Sequence, residues 1–287
     1  MTRQLKFRLL KSRLLFVLVC LMSGLTAVPL LAIIGKVLIA GYRHLNLAFF
    51  TEATPTALNA MLATSRGESI PGGIANGILG TLLMVGMAAI VAIPIGIAGG
   101  VCLSENRKSR FAQVVSYMTD LLQGTPSIII GIITYFWVVV PMRGYSAVAG
   151  SVALAIMMLP LIIRSTEETM KMLSLSLKEA ALALGASYPA MVIRVLLPSA
   201  FGGIFTGVLL AVSRVTGETA PLMFTALGCA AINADVTRPM SAVPLLIWEF
   251  FNDPNLQSLI WSASLFLLIF VLILNITSKH LAKRWRV

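Results

Sequence analysis

The sequence predicts an all-α polytopic membrane protein with six transmembrane helices, and three observations carry that expectation. Charged residues are scarce, with 22 Lys+Arg and 11 Asp+Glu in 287 residues, or 11%, where a soluble domain carries about a quarter. Apolar residues make up 58%, and the mean hydropathy is +0.92. They gather into runs near the ~20 residues that a helix needs to cross a bilayer core. The net charge of +11 would suit nucleic acid on a compact basic face, but the positives sit at the ends of apolar runs. Membrane topology explains them, and no nucleic-acid partner is expected.

The first span runs from about Leu14 to Gly35, behind a basic tail (residues 1–13) with Arg3, Lys6, Arg8, Lys11 and Arg13. Its length exceeds the ~7–15 apolar residues of a signal peptide, so an uncleaved anchor is expected. The second, about Ala75 to Val101, follows Gly72-Gly73 and stops at the polar run from Ser104 to Lys108. The third covers about Phe111 to Val140 and is interrupted near Gly124-Thr125-Pro126, because proline removes a backbone donor and restricts its predecessor. It reads as a broken helix or an interfacial segment leading into a span. The fourth is about Ala147 to Ile163, ended by Arg164. A polar stretch, residues 165–198, precedes the fifth, Ser199 to about Met223, which contains Arg214 and Glu218. The sixth, about Ser258 to Ile276, precedes a basic tail (277–287) with Lys279, Lys283, Arg284 and Arg286.

Six spans put both termini on one side. With the termini cytoplasmic, the inner segments hold 16 Lys+Arg and the outer ones five (Lys36, Arg43, Arg66, Arg143, Arg238), as the positive-inside rule requires. The outer stretch Leu245-Leu246-Ile247-Trp248 either dips into the bilayer or caps the bundle. Cys20, Cys102 and Cys229 are far apart and read as small apolar fillers.

Between the fourth and fifth spans, Ser176-Leu177-Lys178-Glu179 fits a capping box and predicts a helix starting there. Leu177, Ala180, Ala181 and Leu184 form its apolar stripe, and Gly185 is placed to end it. Glu179 either caps a helix packed on its own bundle or belongs to a docking segment. In the fifth span, an arginine at membrane depth costs ~2.5–3.5 kcal/mol on insertion scales and marks a functional site by default. Arg214 lies ~22 Å beyond the inner end of the span, and Glu218 follows at i+4. Either the pair neutralises itself, or Arg214 offers its guanidinium fork to a tetrahedral oxyanion while Glu218 holds it. The Gly124-to-Ser127 break, with Thr125 and Ser127, either kinks a helix or presents free N–H groups to an anion. Asp120, in the same apolar stretch, is expected to face water if Phe111 to Leu122 is interfacial. His44 and His280 fall on opposite sides of the membrane, which argues against a shared metal.

Glu179-Ala180-Ala181, three residues, Gly185, nine residues, then Val195-Leu196-Leu197-Pro198 resembles the EAA signature of ABC-transporter permeases, with Val195 in place of the usual isoleucine. The stretches Gly72-Gly73-Ile74, Gly124 to Gly131, Arg164 to Glu168, and Arg214-Val215-Thr216-Gly217-Glu218-Thr219-Ala220-Pro221 narrow the resemblance to the phosphate-uptake (Pst) permeases of PstA type. The resemblance covers residues 72–225.

It implies a six-helix ABC importer permease domain over 14–276 that carries inorganic phosphate by alternating access. Glu179, Ala180, Ala181, Gly185, Leu197 and Pro198 would then belong to a cytoplasmic coupling segment that docks on the ATPase, and Arg214, Glu218, Thr125 and Ser127 to the substrate path. It further implies a second, PstC-type permease, a pair of PstB-type ATP-binding subunits carrying ATP and Mg, a PstS-type phosphate-binding protein outside, and a place in the bacterial inner membrane. The chain has no G-x-x-x-x-G-K-[ST] loop and no expected cofactor or catalytic set of its own. The alternatives are a permease for sulfate or molybdate, or an ion-coupled secondary transporter, which would carry an inverted repeat that is not evident here.

Overall fold

The computed structural model describes residues 3–66, 70–106 and 108–284, so Arg107 and Arg286 of the basic clusters lie outside the described residues. Among the described residues the chain is helical apart from one isolated β-bridge, Leu227 with Met240. The elements are α1 (Arg3–Gly41), α2 (Leu47–Thr51), α3 (Ala57–Arg66), α4 (Ala75–Glu105), α5 (Arg110–Gly124), α6 (Ser127–Thr134), α7 (Val140–Met142), α8 (Ala147–Lys171), α9 (Leu175–Ala183), α10 (Tyr188–Met191), α11 (Leu197–Thr216), α12 (Ala220–Met223), α13 (Val243–Asn252) and α14 (Gln257–Arg284). Five stretches are long and apolar enough to cross a membrane: Lys11–His44, Ala75–Glu105, Ala147–Lys171, Tyr188–Thr216 and Gln257–His280. A sixth arises if the pair Arg110–Gly124 and Ser127–Met142, bent by 109°, counts as one span.

Two of the spans contain a single π-helical turn, and the sequence explains both. Pro141 and Pro198 have no N–H to donate and crowd the carbonyl four residues back. In each case the turn before the proline widens: Val140 N–H bonds to Tyr135 O and Leu197 N–H to Val192 O, each five residues back. The helix axis therefore continues through both prolines.

The bundle is organised around α8. Two-thirds of its most apolar stretch is buried in the chain, against none for the first span. Ser146 starts it by accepting the Ala149 N–H at 3.1 Å. A Cβ placed on Gly96 or Gly100 of α4 would lie 2.7 Å from Ile162 Cβ or 2.5 Å from Thr166 Cβ of α8. One placed on Gly203 or Gly207 of α11 would lie 2.3 Å from Thr169 Cγ2 or 1.7 Å from Ser165 Oγ. Two glycine pairs at i, i+4 thus seat α4 and α11 on neighbouring stripes of one helix, the small-residue packing that lipid-embedded helices use.

The N-terminal end of α4 and the segments beside it are tied by polar contacts. Buried Asn76 accepts from the Thr54 hydroxyl at 2.9 Å and donates to Cys229 O at 2.9 Å, joining both outer segments to α4. Thr81 Oγ1 accepts the Val243 N–H at 2.9 Å. The Leu245-to-Trp248 stretch lies in α13, ten residues long, which packs on α4 and α14 with Leu245 and Leu246 buried, so it caps the bundle. Helix α1 rests on α14 near its C-terminal end, where Ser262 donates to Gly41 O at 2.7 Å and Lys36 Nζ sits 4.8 Å above the Trp261 ring.

Several expectations need correction. The fourth span does not stop at Arg164 but continues two turns to Lys171, because the charges there are paired. The fifth begins at Tyr188 and ends at Thr216, short of Met223, since Gly217 terminates it. The first and last spans are longer than their apolar runs, with helix from Arg3 and on to Arg284. Cys20 is exposed, and Cys102 and Cys229 are half-buried, so none is a core filler.

Two outcomes follow. Gly207→Val should drive a side chain into Ser165 and destabilise the protein by about 1–3 kcal/mol, lowering its melting temperature in detergent; Gly24→Val, with nothing within 4 Å of its Cβ position, should leave it unchanged. In α13, burial without an ion-pair partner among the described residues holds the Glu249 carboxyl above its ordinary range. The folded protein then binds that proton more tightly than the unfolded chain, so stability should fall as pH rises through and above the ordinary carboxyl range. Melting curves of Glu249→Gln should have lost that slope.

Candidate substrate path and coupling segment

Two helix ends and one corner build the first candidate site. Helix α5 is amphipathic, capped by Ser109, which accepts the Ala112 N–H at 3.2 Å. It ends at Gly124, and Pro126 starts α6 in a new direction. At the far end of α11, Arg214 lies two residues from the last helical residue, where a cation meets the negative end of the helix dipole. Past Gly217, the chain folds back as α12 against α6 and α8: a Cβ on Gly131 would lie 2.7 Å from Pro221 Cα, and one on Gly150 would lie 3.1 Å from Leu222 Cδ2.

Arg214 and Thr125 line one small cavity with Leu122, Gln123, Ile130, Met157, Pro160 and Leu161, about 20 Å³ in volume. That volume holds about one water and no tetrahedral oxyanion, so the helices have to part before an anion can enter. Arg214 is exposed and makes no ion pair among the described residues. The expected Arg214–Glu218 pair is not formed: the i, i+4 geometry needs a continuous helix, and Gly217 ends it between them. Glu218 is half-buried beyond the helix end. Ser127 opens α6 without a side-chain cap and is not among the residues lining the cavity. Thr125 spends its hydroxyl proton on Leu121 O at 2.7 Å and its N–H on Leu122 O at 3.3 Å, so both of its donors are engaged at the corner.

The second candidate is the loop between α8 and α11. Helix α9 is present over the residues expected, but it starts two residues early, with Ser174 at the N-cap (φ −65°, ψ 141°) and no side-chain cap bond. The predicted capping box is therefore not formed. Ser176 lies inside the first turn, where its hydroxyl bonds to Ser174 Oγ at 3.1 Å, and Glu179 is exposed. The helix ends as expected: Gly185 has φ +83°, its N–H bonds to Leu182 O at 2.9 Å, and Ala186 N–H bonds to Ala181 O at 3.2 Å. This is a Schellman motif, with glycine in the left-handed position that side chains avoid.

The apolar stripe splits in two. Ala181 and Leu177 join the main core, whereas Ala180 is exposed and Leu184 is 90% exposed. Leu197 is half-buried against the core and Pro198 exposed. The segment thus presents Glu179, Ala180, Leu182 and Leu184 outward from the bundle.

Sequence reasoning missed two charge clusters. Lys178 pairs with Glu105 at the end of α4, and the Tyr188 hydroxyl donates to the other Glu105 oxygen at 3.3 Å, which clasps α9 and α10 to the C-terminal end of α4. Arg164 bonds to Glu167 Oε2 at 2.6 Å and to Ser116 Oγ at 2.9 Å and pairs with Asp120; Lys171 takes the second Glu167 oxygen. Asp120 is exposed, as expected, and is also one pole of this cluster. The legible signal was Arg164, Glu167 and Lys171 at helical spacing, had α8 been extended past its apolar run.

The chain matches the model of the binding-protein-dependent transport system inner membrane component family over residues 92–287. It is 39% identical over 242 residues to the phosphate transport system permease protein PstA of Yersinia pestis, covering 83% of this chain and 79% of that one. It is 34% identical to PstA 1 of Mycobacterium tuberculosis, covering 74% and 71%. An inward-facing MetNI methionine ABC transporter structure superposes with a TM-score of 0.63 over 73% of this chain and 94% of the other at 19% identity, a likeness of fold.

Glu105→Ala would strip Lys178 and Tyr188 of their shared acceptor. A loss of about 1–2 kcal/mol of local stability should raise amide exchange across α9 roughly tenfold, read by hydrogen–deuterium exchange. The helical arrangement, the family match and the extent of these relationships agree: this chain belongs to the binding-protein-dependent inner membrane permeases, in the PstA family of phosphate transport system permeases.

Proposed function

We infer that this chain is the membrane-spanning permease subunit of an ATP-driven importer of inorganic phosphate. The observation that carries the substrate is its similarity to PstA proteins over four-fifths of its length; sulfate and molybdate are not favoured by any relative reported above. The geometry supplies a reason for transport. Arg214 holds an unneutralised guanidinium at the outer end of a membrane span, a bidentate donor for a tetrahedral oxyanion.

The cavity beside Arg214 is too small for that ion in this conformation, so passage requires the space beside Arg214 to widen. Thr125 borders the anion's route, and Ser127 with the uncapped start of α6 adds donors on the same corner. Glu218, one turn beyond Arg214 but not bonded to it, sits where it can draw the guanidinium back once the anion has left.

The energy comes from another chain. A permease of this family works with an ATPase and a substrate-binding protein, here a PstB-type pair carrying ATP and Mg and a PstS-type phosphate-binding protein. A PstC-type permease would complete the pathway. The outward-facing side of α9, with Glu179, Ala180 and the Gly185 terminus, is the surface for the ATPase, and Leu197 and Pro198 lead from it into α11. The charge asymmetry between the two sides supports an orientation with both termini and α9 on the cytoplasmic side of the inner membrane. Residues 14–276 then form the permease domain, with 1–13 and 277–287 as inner tails.

Labelled phosphate uptake by cells lacking this gene should be restored by the wild-type chain, with labelled sulfate uptake unaffected. Arg214→Ala should reduce phosphate uptake at least ~100-fold, the scale for losing a charged hydrogen-bonding partner, while the assembled complex still purifies. Wild-type uptake by that variant would remove Arg214 from the path, and sulfate uptake dependent on the chain would reassign the substrate. Glu179→Arg should leave membrane insertion intact and reduce co-purification of the ATPase; unchanged co-purification would overturn the docking role.

A further inference from the structure

We propose that Arg164 is a positioning residue for transport: by bridging Glu167 of α8 to Asp120 and Ser116 of α5, it makes α5 travel with α8, so that movement of the coupling segment reaches the corner beside Arg214. The proposal rests on the permease reading above.

The geometry places one guanidinium across two helices. Its Nη1 bonds to Glu167 Oε2 at 2.6 Å on its own helix. Its Nη2 reaches across to α5, to Ser116 Oγ at 2.9 Å, Ser116 O at 3.3 Å and the Asp120 carboxylate. Glu167 is buried, and Lys171 occupies its other oxygen, so the α8 side of the bridge is fixed before α5 is engaged. An arginine fork is suited to this task because its donors diverge in a rigid plane, which a lysine cannot reproduce.

Position along both helices gives the bridge its consequence. On α8, Arg164 is one turn from Pro160 and Leu161, which line the Arg214 cavity. On α5, Asp120 is one turn before Gln123 and Thr125, which line the same cavity. Towards the other end, α8 runs on to Lys171 and reaches α9 after three residues. The bridge therefore lies between the coupling segment and the corner that has to move.

Apolar packing alone holds α5 weakly. Its contact with α4 and α8 is the small cluster of Leu103, Ala112 and Ile163, and a cavity of about 340 Å³ opens beside it, lined by Gln113, Ser116, Tyr117, Glu167 and Lys171 among others. Phe111, Val114, Tyr117, Met118 and Leu121 of α5 face away from the chain. A helix with so little buried surface needs a polar tie if it is to move as one body with its neighbour.

The test uses the complete complex in proteoliposomes, with the double variant Ser116→Ala/Asp120→Ala and the conservative Asp120→Glu. Both changes fall on α5 and leave the Arg164–Glu167–Lys171 set in α8 intact, which protects folding. Spin labels at exposed Ile90→Cys in α4 and Met118→Cys in α5 report the distance between the helices without nucleotide and with ATP plus vanadate. The wild-type protein and Asp120→Glu should keep one narrow distance in both states. In the double variant that distance should broaden or shift on nucleotide binding, and labelled phosphate imported per ATP hydrolysed should fall about tenfold.

A wild-type distance that changes with nucleotide, or a double variant with unaltered distance and unaltered phosphate per ATP, would overturn the proposal. The distance readout needs no substrate. If the wild-type complex imports no phosphate, the substrate reading fails by itself, and the distances still decide whether the bridge binds α5 to α8.

Discussion

The structure depends on how closely three helices can approach in lipid. Inside a bilayer no hydrophobic force drives helices together, because lipid tails are as apolar as leucine; association comes from dispersion and polar contacts at short range. Gly96 and Gly100 of α4 and Gly203 and Gly207 of α11 supply that range by presenting backbone to α8. Each pair recurs at four residues, so each makes a groove along a helix and not a single notch. The partners in the grooves differ: Ile162 and Thr166 face α4, Ser165 and Thr169 face α11. A helix gripped along two neighbouring stripes cannot slide on one without straining the other. Helix α8 is thereby fixed in register with α4 and α11, and α1, α5 and α9 are among the elements outside this grip.

That division bears on what can move. Helix α1 touches the rest through its outer end on α14, and α9 is held by Ala181, Leu177 and the Glu105 clasp. The links from α9 to the three-helix body are Lys178 with Glu105 and the short connection after Lys171. The π turns before Pro141 and Pro198 add compliance at two further points, since a widened turn carries fewer constraints than an α-helical one.

Much of this was legible in the sequence, and the failures share a cause. Hydropathy placed α4 well, Pro126 marked the corner, and Gly185 marked the end of α9, because each signal is local. Arg164 was read as the end of a span because its cost depends on Asp120, 44 positions away, which no local pattern reveals. The start of α9 was misplaced because Ser174 and Ser176 both suit an N-cap. The capping-box partner of Ser176 favoured the later start, but the connection from Lys171 delivers the chain in extended geometry at Ser174. The Arg214–Glu218 pair was drawn on a helix assumed to continue, although Gly217 and Pro221 are both helix-stop residues. Of the site residues, Thr125 does meet Arg214 in one cavity, whereas Ser127 and Glu218 do not line it.

The two arginines in the spans sit in opposite electrostatic settings. Arg164 has two carboxylates and a serine against it, so its charge is neutralised by its own helix and by α5. Arg214 has no carboxylate against it and sits at the negative end of a helix dipole, which stabilises the cation without blocking its donors. A dipole worth at most ~2 kcal/mol leaves the arginine's donors unengaged, where an ion pair would occupy them. Arg214 is thus an exposed cation with open donors beside a cavity of about 20 Å³, on a helix packed closely against α8.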